Sequence, residues 1–234
     1  MKKNIVVFGA SSKIASEIVL LLSKEYDEII LIGRSKNKIE SLKRKIIKNN
    51  SNVKNVDHLF TPLNSSDEIK KSFKWLTKKL NSPSMVFVCP AFLFKDNEHI
   101  SSKSYIEALN VNAILPIMVC DFYSSTNAKI ITLGSLFSII PRKNNYFYSY
   151  SKKIFHTYFK NMDLVEQKEK NYLFLLGPVN TPMYVGHKSF YVSSPIKIAQ
   201  KIVRTVSRKN SGMYILPKAW TFFLPLIYFY FIFR

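Results

Sequence analysis

Ile5-Val6-Val7-Phe8-Gly9-Ala10-Ser11-Ser12-Lys13-Ile14-Ala15 is an apolar, β-branched run that breaks at a glycine and passes through two serines into a helical pattern. Four apolar residues in a row predict a buried strand, and the turn after them must be tight because helical periodicity resumes at residue 13. A strand that feeds a helix through such a turn opens a βαβ unit. Small residues there let backbone N–H groups and a helix N-terminus come close to an anion such as a pyrophosphate. Gly9 supplies the turn, Ser11 and Ser12 supply hydroxyls and amides, and Ala15 lets the helix sit close on the sheet. Lys13 and Ile14 complete the candidate phosphate-binding turn. Only one glycine stands where dinucleotide-binding turns usually have three, so this stretch alone also suits an ordinary strand-to-helix connection.

The pattern repeats outward. Strands are predicted at 28–32, 58–63, 84–88, 129–133, 172–176 and 213–216, and helices at 37–47, 66–80, 101–122, 146–168 and 194–209. Strands alternating with helices predict an α/β fold, a Rossmann-type doubly wound, mainly parallel seven-stranded sheet with helices on both faces. Residues 1–218 read as one domain, dinucleotide-binding and catalytic, followed by a tail at 219–234. The second strand ends at Gly33-Arg34-Ser35. A carboxylate at this place would bind the ribose 2′-hydroxyl of NAD; an arginine suits a 2′-phosphate. Arg34, Ser35 and Lys13 therefore favour NADP(H), while Arg34 as a plain solvated residue is the simpler alternative.

The 234 residues carry a formal net charge of +20, and no acidic residue follows Glu169. Such a surface favours anionic partners, or reflects only a lysine- and asparagine-rich composition. No helix-turn-helix or zinc-finger pattern is present, and no nucleic-acid partner is expected. Cys89 and Cys120 have no metal or redox spacing and read as small buried hydrophobes. His58, His99, His156 and His187 are scattered without metal-ligand spacing and read as structural or surface residues. No signal-peptide pattern opens the chain, which predicts a cytoplasmic location.

Tyr148-Ser149-Tyr150-Ser151-Lys152 carries the chemistry. Residues four apart share a helix face, so the Tyr148 hydroxyl and the Lys152 ammonium can enter one cleft. A nearby cation favours the tyrosinate and is expected to lower the phenol pKa, which suits a general acid or base near neutral pH. Tyr146 and Tyr150 lack a lysine four residues on. Ser135 ends the predicted fifth strand, thirteen residues before Tyr148, and Asn112 lies in the long helix before it. From Met1 to about Leu216 the order of phosphate turn, Asn112, Ser135, Tyr148 and Lys152 resembles the short-chain dehydrogenase/reductase family.

That resemblance implies roles for these residues. Tyr148 would exchange a proton with the substrate oxygen, Lys152 would tune Tyr148 and bind the nicotinamide ribose, and Ser135 would orient the carbonyl. Asn112 would hold a water linking Lys152 to solvent. After the sixth strand, Gly177, Val179 and Thr181 in Leu176-Gly177-Pro178-Val179-Asn180-Thr181-Pro182-Met183 match the block that contacts the nicotinamide. Asn64 would stand near the adenine, and Ala91 would let the cofactor pass closely. The sequence departs from the family at Lys13, Ala15, Leu176 and Cys89-Pro90-Ala91; Pro90 removes an N–H.

Residues 219–233 are almost wholly apolar and aromatic, about 15 residues against the roughly 20 that span a membrane. Lys197, Lys201, Arg204 and Arg208 step along one helical face. Together, 197–208 and 219–234 predict either peripheral contact with an anionic membrane or packing in a subunit interface. The phosphate turn, the block after the sixth strand and the apolar end resemble, more narrowly, the decaprenylphosphoryl-linked 2-keto-pentose reductases of surface-polysaccharide synthesis. This implies a keto substrate on a lipid-linked or nucleotide-linked sugar. A fatty-acyl or other hydrophobic ketone and a non-catalytic dinucleotide-binding sensor or scaffold are the alternatives. The family resemblance also implies a homo-oligomer.

Overall fold

The structure, a computed structural model, describes residues 3–50, 53–80, 82–93, 101–141, 145–162, 170–184 and 192–222. Seven strands form one sheet: β1 (Asn4–Phe8), β2 (Glu28–Gly33), β3 (Asn55–Phe60), β4 (Met85–Val88), β5 (Lys129–Ser135), β6 (Asn171–Leu176) and β7 (Gly212–Leu216). Their order is β3-β2-β1-β4-β5-β6-β7. Every pairing is parallel, so the expected mainly parallel sheet is wholly so. β1, β4 and β6 are buried throughout, which is why they read as unbroken apolar runs rather than alternating ones.

Helices cover both faces. α1 (Lys13–Leu22), α2 (Lys36–Asn49) and α7 (Pro195–Arg208) close one core with Ile5, Val7, Ile131 and Phe174. α3 (Ser66–Lys79), α5 (Leu115–Phe122) and α6 (Tyr146–Asn161) close the other with Phe8, Val86, Ile130 and Leu173. Neighbouring residues of one strand thus feed opposite cores, as the pleat requires. The direction in which successive strands are added reverses between β1 and β4, and open α/β sheets bind ligands at the strand ends of such a switch point.

Several boundaries differ from the sequence reading. The third strand lies at Asn55–Phe60, ahead of the predicted 58–63. Pro62 cannot donate to a ladder, and Leu63 turns the chain with a left-handed φ of 56°. The helix predicted at 101–122 is α4 (Ser102–Leu109), a π-helical stretch (Asn110–Ile114) and α5. The sixth helix ends at Asn161, and 163–168 of the predicted 146–168 lie outside the described residues.

Among the described residues only Ser102–Phe122 is long and apolar enough to cross a membrane, with a mean hydropathy of 1.3. Half of that window is buried in the fold, and its Asn110 and Asn112 bond within the protein, so its apolar character serves the core. The chain leaves β7 through Pro217, and Trp220 returns onto the end of β6. A Cβ on Gly177 would lie 2.5 Å from the Trp220 indole nitrogen. Residues 223–234, most of the predicted tail, lie outside the described residues.

Candidate active site

The C-terminal ends of β1, β2, β4, β5 and β6 open into a cleft of about 1310 Å³. Gly9, Ser11, Ser12, Lys13 and Ile14 line it at the first turn, Arg34 and Ser35 at the second, Asn64 and Ala91 at the next two. Ser135, Tyr148, Lys152, Gly177, Val179 and Thr181 line the rest. Asn112 is fully buried behind this wall.

The first turn is held from three sides. Gly9 and Ala10 N–H both donate to Ile32 O, at 2.8 and 3.0 Å. Gly9 has φ +76°, and a Cβ there would stand 2.5 Å from Pro90 N. Pro90 therefore packs its backbone against a residue that must be glycine, and it needs no partner for an N–H. Ser11 Oγ accepts from Ser35 N at 3.3 Å and so ties the first turn to the second.

The helix caps divide by place. Ser65, Ser101 and Ser194 each accept from their own helix. Ser12 and Ser35, the caps of α1 and α2 at the cleft, make no such bond. The first-turn N–H groups of α1 thus face the cleft without a side-chain cap, which is the chemistry a pyrophosphate needs. Arg34 is exposed, with no acidic residue between Glu28 and Glu40.

α6 presents the second half of the site. Ser135 stands beside the Tyr148 hydroxyl and favours its ionised form. Ser135 Oγ also accepts from Phe137 N at 3.2 Å. Lys152 is buried, and its ammonium donates to Leu133 O at 3.3 Å and Pro90 O at 3.5 Å. Burial pushes Lys152 down to about 8, opposed by the Cys89 thiol beside it. Burial pushes that thiol up to about 12, and Lys152 draws it down.

The phenol departs from expectation. Tyr148 lies above its usual value, raised by burial, and the group that lowers it is Ser135 rather than Lys152. The lysine is anchored on two backbone carbonyls, so it does not offset the desolvation of a tyrosinate.

The π-helical stretch holds the walls. Asn112 Nδ2 donates to Phe92 O at 2.8 Å and Ser151 Oγ at 3.0 Å, and Asn112 Oδ1 accepts from Phe92 N at 3.0 Å. Both amide hydrogens thus go to protein, so the water implied for Asn112 by resemblance cannot be held by them. Asn110 Nδ2 donates to Asn64 O at 3.0 Å. Ser151 Oγ donates in turn to Tyr148 O at 2.8 Å. One extra residue in the turn lets two asparagines two apart reach the loops after β3 and β4, a use often made of π turns at functional sites.

Sequence reading missed Asn110, Phe92 and Ser151. Only the Asn-x-Asn spacing hinted at the first, and Phe92 acts through its backbone, which no residue type reveals. His58 lies against Phe60, their rings tilted by 44° with centroids 4.6 Å apart, while His99 and His187 lie outside the described residues.

A parallel sheet with this strand order, a glycine turn at the switch point and a serine–tyrosine pair beside a buried lysine define a dinucleotide-dependent oxidoreductase fold. The chain belongs to the short chain dehydrogenase family, whose pattern it matches over residues 3–189. No curated protein matches it by sequence.

Solved structures do match. A short-chain dehydrogenase from Sphingobium yanoikuyae in complex with NADPH is 13% identical over 92% of this chain and 88% of its own, with a TM-score of 0.79. An alcohol dehydrogenase from the archaeon Thermococcus sibiricus, complexed with 5-hydroxy-NADP, is 15% identical over 92% and 96%, with a TM-score of 0.78. L-Sorbose reductase from Gluconobacter frateurii, complexed with NADPH and L-sorbose, is 12% identical over 92% and 95%, with a TM-score of 0.76. At these identities the likeness is one of fold.

Proposed function

We propose that the protein is an NADP(H)-dependent oxidoreductase that reduces a keto group to a secondary alcohol. The observation that carries this reading is the half-buried Tyr148 phenol beside Ser135, in the same cleft as the Gly9 turn and Arg34. The cofactor-bound states of the three similar structures support the choice of NADP(H).

The residues fit the cofactor. Gly9, Ser11, Ser12, Lys13 and Ile14 would hold the pyrophosphate; Arg34, Ser35 and Lys13 the 2′-phosphate; Asn64 and Ala91 the adenosine side; Lys152, Gly177, Val179 and Thr181 the nicotinamide side. When bound, NADPH supplies the hydride. Ser135 directs a hydroxyl at the place of the carbonyl oxygen. Tyr148, kept protonated by burial, gives its proton to that oxygen as negative charge develops there. Lys152 uses two of its three N–H bonds on Leu133 and Pro90, which leaves one for a bound molecule. Asn112 acts by fixing Phe92 and Ser151.

The substrate is a keto sugar carried on an anionic lipid, and the enzyme works at the cytoplasmic face of a membrane in surface-polysaccharide synthesis. The four cations of α7 are exposed, and α7 carries no acidic residue. Phe222, in the aromatic tail, is 79% exposed. Residues 1–218 form the catalytic domain and 219–234 the membrane-facing tail. Exposed Tyr105 and Ile106 on α4 and Tyr146, Tyr150 and Ile154 on the adjoining α6 support a homo-oligomer.

The test is turnover. Purified protein and NADPH are offered keto sugars free, nucleotide-linked and polyprenyl-phosphate-linked, and loss of the reduced nicotinamide absorbance is followed. Consumption fastest with the lipid-linked sugar is expected; consumption only with fatty-acyl ketones would overturn the substrate class, and none with any ketone the activity.

A further inference from the structure

We propose that His156 is a positioning residue for Ser135, acting through Ser138. The inference rests on the ketoreductase reading for its kinetic consequence but not for its geometry. Tyr148, Lys152 and His156 follow one another at intervals of four on α6, so they form one row. Each meets the end of β5 or the turn after it: Tyr148 at Ser135, Lys152 at Leu133 O, and His156 Nδ1 at Ser138 Oγ, 3.0 Å away.

Hydrogen-bond bookkeeping fixes the direction of the last contact. Ser138 has one hydroxyl hydrogen, and it goes to Ser135 O at 2.7 Å. Against His156 the oxygen therefore accepts, and Nδ1 carries the hydrogen. His156 Nε2 is buried and has no partner among the described residues. A hydrogen there would be a buried donor left unpaired, so the same tautomer follows from both ends of the ring. Burial, Lys160 and Lys153 disfavour the charged ring.

A relay results: His156 Nδ1–H to Ser138 Oγ, Ser138 Oγ–H to Ser135 C=O, and Phe137 N–H to Ser135 Oγ, which stands beside Tyr148. Ser135 and Ser138 are 7% and 2% exposed, so water does not readily replace a lost partner. The ring thus holds the turn Leu136–Ser138, and with it the aim of the Ser135 hydroxyl.

The experiment compares wild type with His156→Ala, His156→Asn, Ser138→Ala and the double alanine variant. Asparagine keeps an N–H near the place of Nδ1. With NADPH and diacetyl as probe, His156→Ala is expected to lower kcat about tenfold, the weight of one hydrogen bond, with KM within about twofold. His156→Asn restores most of kcat, and the double variant is no worse than either single one.

The second readout needs no turnover: the 13C resonance of the Tyr148 ζ-carbon, assigned with Tyr148→Phe. In His156→Ala it moves toward its position in Ser135→Ala, and in His156→Asn it stays. An unmoved resonance in His156→Ala, or a kcat that asparagine fails to restore, overturns the proposal. A moved resonance in an enzyme that reduces no ketone leaves the relay standing and overturns the reductase reading.

Discussion

At the scale of the residue, burial decides which protonation state Tyr148 and Lys152 bring to the reaction. The spacing of Ser135, Tyr148 and Lys152 was legible in sequence because periodicity alone puts two of them on one face. The sense of the phenol shift was not, because it depends on burial by the surrounding fold and not on the spacing along α6.

Tyr148→Phe removes the proton donor and leaves the walls of the cleft intact. Turnover should fall at least about a thousandfold, with NADPH affinity kept within about threefold by calorimetry. Lys152 gives a pH signature. Its folded value of about 8 lies below the ordinary 10.5, so between these the unfolded chain holds more protons. Its contribution therefore destabilises the protein fully below about pH 8 and is relieved as pH rises toward 10.5, by roughly 3 kcal/mol. Urea unfolding should show Lys152→Met more stable than wild type at neutral pH, with the gap closing by pH 10; a constant gap would place the ammonium in water. Arg34→Glu should shift the NADPH-to-NADH preference toward NADH by at least about tenfold in kcat/KM, and an unchanged ratio would assign the 2′-phosphate elsewhere.

At the scale of the element, apolar runs and serine caps located six of the seven strands within about two residues. The misplaced strand, β3, shows why boundaries fail. Nothing in the residue type of Leu63 announces a left-handed turn, since leucine pays about 1 kcal/mol or more to make one. The π-helical stretch was equally hidden, because an extra residue in a helix leaves no mark in an apolar pattern. Gly9, by contrast, was read as a turn residue, and the structure adds the reason that no other residue fits. Gly9→Ala should cost about 2 kcal/mol or more in urea unfolding and weaken NADPH binding, through both its left-handed φ and the Pro90 backbone.

At the scale of the whole molecule, the C-terminal segment meets the cleft at one residue. Trp220 packs on Gly177 at its edge, so the start of the C-terminal segment lies beside the site. That contact was invisible in sequence, where Trp220 read as part of the aromatic block. It also sets where to cut: ending the chain at Phe222 keeps the indole in place. This truncation should lose binding to phosphatidylglycerol vesicles in co-sedimentation while keeping NADPH binding. Unchanged vesicle binding with a smaller mass by light scattering would assign the tail to subunit packing.

The most direct test of the central claim is a calorimetric titration of the full-length protein with NADPH and with NADH. NADPH should bind with about one-to-one stoichiometry and at least about tenfold more tightly than NADH, the weight of one charge-assisted contact to the 2′-phosphate. Failure of both to bind would contradict the reading of the Gly9 turn and its cleft as a dinucleotide site, and equal affinity would contradict the role given to Arg34.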